Sequence, residues 1–172
     1  MRYVWIAILL GIILSLVYIQ GECKYQYLHD DDPYLHAEGI YYIANTLSIS
    51  DPKGYDIRYV DPYPFMYDLL LAIPYKLFGH LQEVMKIGNA LLCGLAIFLF
   101  YLFAKELFKN AKKAIIATFV IFCMPCFMSH FIWSQTLAID LVLVTWYLML
   151  KKYNILAGIS AALVFMCQPS VA

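Results

Sequence analysis

The sequence predicts an all-α, polytopic membrane protein with about five transmembrane helices and two juxtamembrane helices in its first outer loop. Three observations predict it. Hydrophobic residues make up 63% of the 172 positions and charged residues only 14%, with a mean hydropathy of +0.71, outside the range of soluble domains. Ten of the twelve acidic residues lie between Glu22 and Glu83, leaving only Glu106 and Asp140 elsewhere. Long uncharged runs recur through the remainder, and lysines fill the gaps between them.

The first element is residues 3–20. The run YVWIAILLGIILSLVYI follows Arg2 and carries no charge. A basic flank and the small Gly21 also suit a signal peptide, but the run is long for a signal core and no Ala-x-Ala-like site follows. It is read as a retained spanning helix. Further spans are predicted at 84–104, 114–131, 132–150 and 154–171, because a hydrocarbon core of about 30 Å needs roughly 20 apolar residues. The spans at 114–131 and 132–150 meet at a short turn over residues 129–134.

Orientation follows from the cations. Arg2, the group Lys105, Lys109, Lys112 and Lys113, and the pair Lys151–Lys152 all fall on one side when five spans alternate. The positive-inside rule makes that side the cytoplasm, with the N-terminus cytoplasmic and the acidic 21–83 loop outside the cell membrane. Within this loop, Pro33 suits a first helical turn, Asp32 is a natural cap, and Leu35, Ile40, Ile43 and Leu47 fall along one side of a helix over 33–47. Phe65, Leu69, Ile73 and Leu77 recur every four residues, which predicts a second helix over 64–79 lying in the interface. Asp68, Pro74 and Lys76 interrupt this stretch too often for it to span. A Pro/Gly/Asp-rich link over 50–64 joins the two. Ten of the fifteen tyrosines fall in this loop, as in the aromatic belts of interfacial helices.

The chemistry-bearing residues are few. Cys123 and Cys126 have the spacing of a redox or metal pair, but there is no second pair and the surroundings are apolar, so packing is the better account. Asp30, Asp31 and Asp32 are contiguous carboxylates beside a low-dielectric surface, where their repulsion is costly. Helix capping explains one of them. A solvated loop, oxygen ligands for magnesium or manganese, and base work on a hydroxyl are the readings open for the others. Asp140 interrupts an apolar run ten residues before Lys151, about 15 Å deep. It is either hydrogen-bonded to a neighbouring helix, for instance to Asn89, or part of a site that opens outward.

The stretches DDDPYLHAEGIYYI, DPYPFMYDLLLAIPYKLFG with the following span VMKIGNALLCGLAIFLFYLFAKELF, and SQTLAIDLVLVTWYLMLKK with ILAGISAALVFMCQP together resemble the polytopic C-type glycosyltransferases. This group includes the oligosaccharyltransferase catalytic subunits, the protein mannosyltransferases and the aminoarabinose transferases. The resemblance implies inverting transfer of a sugar from a polyprenyl-phosphate donor to an extracytoplasmic acceptor. Asp31 or Asp32, with Asp30 beside them, would serve as the base. Arg58, Lys76, His36, Glu38, Tyr63 and Asp140 would bind substrate, with Lys24 and Lys53 as further cations for the leaving phosphate. Two departures stand out. The second acidic motif that helps to hold a metal in the oligosaccharyltransferases is replaced by His130 to Gln135, so the metal-independent branch is the closer analogue. Such enzymes are usually several hundred residues long, so the chain would hold the front half of the module, with a partner subunit as one source of the missing helices. Two other classes stay open: a non-catalytic subunit that binds lipid-linked sugar or scaffolds a partner, and a small transporter or channel with an acidic vestibule. There is no basic excess to suggest nucleic acid.

Overall fold

The uncharged runs and both amphipathic stretches form helices in the computed structural model, which describes residues 2–50, 63–124 and 132–170. In chain order they are α1 (Arg2–Glu22), α2 (Asp32–Thr46), α3 (Met66–Phe78), α4 (Leu81–Phe108), α5 (Ala111–Phe122), α6 (Ser134–Leu150) and α7 (Asn154–Cys167). No strand occurs among the described residues, so the all-α class holds.

Three apolar clusters fix how the long helices run. At one end, Ala7 of α1 packs with Tyr101 and Ala104 of α4 and Ala114 of α5. Further along, Leu14 and Tyr18 of α1 meet Ala90, Cys93 and Ile97 of α4 and Phe122 of α5. Ala138 of α6 packs on Val164 and Cys167 of α7. Lys151, at the close of α6, bridges to Glu106 of α4 at 2.7 Å, and Lys109 also pairs with Glu106. Successive long helices are therefore antiparallel. The chain's N-terminus and the two lysine-bearing turns share one end, opposite the acidic segment.

α1 and α4 approach backbone to backbone. A Cβ built on Gly11 would lie 2.5 Å from the carbonyl oxygen of Gly94. Ala7, Gly11 and Ser15 recur every four residues, so small side chains line this crossing as they do between close-packed membrane helices.

The helix ends follow local chemistry. Asn110 caps α5 by accepting hydrogen bonds from the Lys112 and Lys113 amides at 2.9 and 3.1 Å. Gly79 closes α3 in the left-handed region, where a missing Cβ removes the steric penalty. α5 stops at Phe122, short of the expected limit at 131, and Cys123 and Met124 leave the helix. Met124 precedes Pro125, whose ring disfavours helical backbone in the residue before it. The rest of that expected span, and residues 129–131 of the expected turn, lie outside the described residues.

Among the described residues, two helices, α1 and α4, are long and apolar enough to cross a membrane. Five were expected. α6 with 17 residues and α7 with 14 are apolar but shorter, and α5 has 12. At 1.5 Å per residue these three reach only about 18–26 Å.

α2 and α3 lie together over the other end. Ile40, Ile43 and Ala44 of α2 pack on Tyr67, Leu71 and Ala72 of α3, on Met85 of α4 and on Ile132. Two expectations change here. Asp32 is the first residue of α2 and not its cap; Asp31 holds the cap position and makes no side-chain capping bond. Leu47, expected on the packed side, is 85% exposed, because α2 ends at Thr46 and Leu47 turns into the left-handed region. In α3 the stripe containing Ile73 and Leu77 points outward, as an interfacial helix requires. Its opposite face buries Tyr67 and Asp68.

Candidate functional site

The amphipathic pattern of α3 determines what its inner face carries. With the apolar stripe turned outward, Tyr67 and Asp68 turn toward the protein, and both are fully buried. On α2 the buried positions Pro33, His36, Gly39, Ile40 and Ile43 follow helical spacing, so His36 sits among apolar neighbours and faces α3. The two meet. His36 Nδ1 lies 2.6 Å from Asp68 Oδ1, with the side chains 2% and 0% exposed. With Asp68 ionised the imidazole N–H donates; with Asp68 protonated the carboxyl O–H donates to the ring nitrogen. Burial pushes the Asp68 carboxyl up to about 6, and the hydrogen bond and charge of His36 oppose that rise.

Aromatic rings enclose the pair. Tyr67 meets the imidazole edge-to-face at 4.9 Å between centroids, and Tyr63 does so at 6.2 Å. The Tyr63 hydroxyl donates to Gln168 Oε1, just past the end of α7, which ties this wall to the bundle. Burial raises the Tyr67 hydroxyl well above the usual tyrosine range, and Asp68, Cys93 and Glu22 raise it further. Residues from α1, α3 and α4 therefore converge electrostatically on Tyr67. The Tyr67 hydroxyl and Asp68 Oδ2 have no hydrogen-bond partner among the described residues. Such buried atoms cost about 1–3 kcal/mol each.

The acidic run forms the rim above. Asp30 is exposed in the left-handed region, and its side chain accepts the Asp31 amide at 2.8 Å. Asp31 is exposed and Asp32 half-buried. Asp32 occupies the first turn of α2, where the helix dipole favours a carboxylate. It is one turn before His36, and residues four apart share a helix face.

The other expected site residues divide clearly. Glu38 and Lys76 are exposed, with Lys76 in the last turn of α3. Arg58 and Lys53 lie outside the described residues, and Lys24 is exposed. Asp140 is 2% exposed, and neither of its oxygens has a partner among the described residues, so the hydrogen bond expected with Asn89 does not form. Among the described residues, no group of three histidine, cysteine or acidic side chains is arranged to hold a metal ion.

No family model, curated protein or solved structure matches this chain.

The site therefore stands on its own geometry. Two of its residues were absent from the sequence-based candidates, Asp68 and Tyr67, as was the buried Lys86 outside it. Lys86 is buried on α4, its ammonium donating to the Tyr25 carbonyl at 2.6 Å. Asp68 read only as an interruption of the apolar stretch, although its place opposite the apolar stripe of its own helix is a signal that could have found it. Lys86 gave no such signal, since it opens an uncharged run just as an end-of-span lysine does.

Proposed function

We propose that the chain is a polytopic membrane protein whose acidic end faces away from the cytoplasm and transfers a sugar from a polyprenyl-phosphate donor to an acceptor hydroxyl. The membrane part draws on the outer surface of the bundle. Trp5, Leu9, Ile12 and Leu16 of α1, Leu91 of α4, Phe119 of α5, Trp146 of α6 and Ile155 and Phe165 of α7 are all exposed. An apolar exterior that continuous suits hydrocarbon and not water. The grouping of Arg2, Lys105, Lys109, Lys112, Lys113, Lys151 and Lys152 at one end supports the orientation.

The observation that carries the transfer reading is the layout of the capped end. A rim of carboxylates, Asp30 to Asp32, stands at the start of α2 over the buried His36–Asp68 pair, beside the apolar surface where a lipid carrier would lie. In this mechanism Asp31 or Asp32 accepts the proton of the attacking hydroxyl, the new bond forms at the anomeric carbon, and the bond to the phosphate oxygen breaks. Phosphate leaves with its own negative charge, so a base matters more than an acid. Lys24, Lys76 and Lys86 are described cations toward this end of the helices.

Purified protein in liposomes, given a panel of short-chain polyprenyl-phosphate hexoses with water as acceptor, tests the reading. Release of free sugar that is lost in Asp32→Asn or Asp31→Asn supports it. Absence of release with every donor tried removes it. A second reading, cation passage through an acidic vestibule, draws on the buried Asp140. Cation flux into the same liposomes that Asp140→Asn abolishes would favour it.

A further inference from the structure

We propose that the His36–Asp68 pair is a proton store one helical turn behind the rim, taking up the proton that Asp32 removes from the attacking hydroxyl. The inference rests on the transfer reading above and adds two residues to it as positioning and proton-holding groups.

Three observations lead to it. Asp32 and His36 are four residues apart on α2, hence neighbours on one face, the first half-buried at the rim and the second buried. His36 is hydrogen-bonded at 2.6 Å to a carboxylate from another helix, an arrangement that fixes the imidazole and lets it pass a proton on. Asp68 retains an oxygen without a partner among the described residues, so its carboxyl has room for a proton on either oxygen. Tyr67 of α3 and Tyr63 just before it are titratable groups in ring contact with His36. Glu22 of α1 and Cys93 of α4 also act on Tyr67.

The transfer balances as follows. Protonated Asp32 gives its proton to the nitrogen of His36 that does not face Asp68. The Nδ1 proton passes to the Asp68 carboxylate. Asp32 is again an anion, His36 is a neutral imidazole in the other tautomer, and Asp68 is a neutral acid. No proton is created or lost and no bond to carbon is involved. Burial favours the neutral acid form of Asp68, so the pair can hold the proton without leaving a charge in the interior. Return of the proton to water resets the site.

Two measurements on the full chain test this. The first is infrared titration in detergent, following the protonated-carboxyl band that Asp68→Asn removes. The band should disappear as pH rises through about 6. In His36→Gln it should persist to higher pH, because the imidazole no longer favours the anion. A band that is indifferent to His36 overturns the coupling. The second is the pH profile of donor cleavage. The wild type should lose activity as pH falls through about 6, where the store is already filled. His36→Gln should lower the rate, by up to roughly 100-fold, the low end of what a positioned proton-transfer group contributes, and Asp68→Asn should shift the acid limb to lower pH. Variants that keep both the wild-type rate and its acid limb overturn the store while leaving Asp32 as base. If Asp68→Asn does not fold, His36→Gln carries both measurements. Absence of cleavage by the wild type removes the transfer reading and the store with it, whereas the infrared result then still reports on the pair.

Discussion

His36 and Asp68, separated by 32 residues and carried on different helices, meet at 2.6 Å in a setting that excludes water from both. This contact clamps α2 to α3. Removing one partner strands the other in a low-dielectric site. His36→Ala is expected to destabilise the protein by about 3–5 kcal/mol, and replacement of both residues by leucine to recover most of that loss. Thermal unfolding in detergent, followed by tryptophan fluorescence, measures both. Equal destabilisation by the single and the double variants would show that lost packing, and not a stranded charge, sets the cost.

Stability should also depend on pH in a defined direction. The Asp68 carboxyl is raised from 3.8 to about 6 on folding, so the native state binds this proton more tightly than the unfolded chain. Its contribution is complete below the unfolded value and is lost as pH rises through about 6. The shift corresponds to about 3 kcal/mol. The unfolding midpoint should therefore fall between roughly pH 4 and pH 7 in the wild type, and Asp68→Asn should flatten that fall. A wild-type midpoint that rises over this range would contradict the assignment.

The α1–α4 crossing has no room for a side chain at its centre. Gly11→Ala would push a methyl group against the Gly94 carbonyl oxygen, at 2.5 Å before relaxation. A cost of about 1–3 kcal/mol is expected as the helices separate. Gly158 on α7 has nothing within 4 Å of a built Cβ, so Gly158→Ala should be neutral or stabilise slightly, by up to about 1 kcal/mol. Comparing the two variants in one unfolding assay separates crowding from helix propensity.

With the lysine-bearing end cytoplasmic, as proposed, labelling with a membrane-impermeant maleimide should distinguish the two ends. A single-cysteine variant retaining Cys23, which is exposed beside the acidic segment, should react in intact cells. A single-cysteine variant at Lys109→Cys should react only after lysis. Reaction of both without lysis would overturn the alternating topology.

Much of the fold was legible because it depends on neighbours in sequence. Uncharged runs and the four-residue recurrence through Leu69 and Ile73 dictate helices through periodicity. The grouping of Lys109 and Lys151 at one end was likewise foreseeable, since five alternating helices allow nothing else. Helix ends were less so: Leu47 was expected on a packed face, but its backbone turned left-handed and carried it out.

The site was legible only in its rim. Asp30, Asp31 and Asp32 announce themselves as adjacent charges, and His36 was named with them. Asp68 looked like an interruption of an apolar stretch, and its pairing with His36 depended on which face α3 turns to α2. The sequence by itself determined the seven helical segments' approximate places, the separation of charge between the two ends, and the acidic start of α2. Tertiary packing alone decided that α1 and α4 touch at Gly11 and Gly94, that Asp140 is enclosed without a partner among the described residues, and that His36 meets Asp68. The reason is physical. Helices form from contacts within a turn or two, whereas a pair 32 residues apart exists only once burial of two apolar faces has brought their helices together.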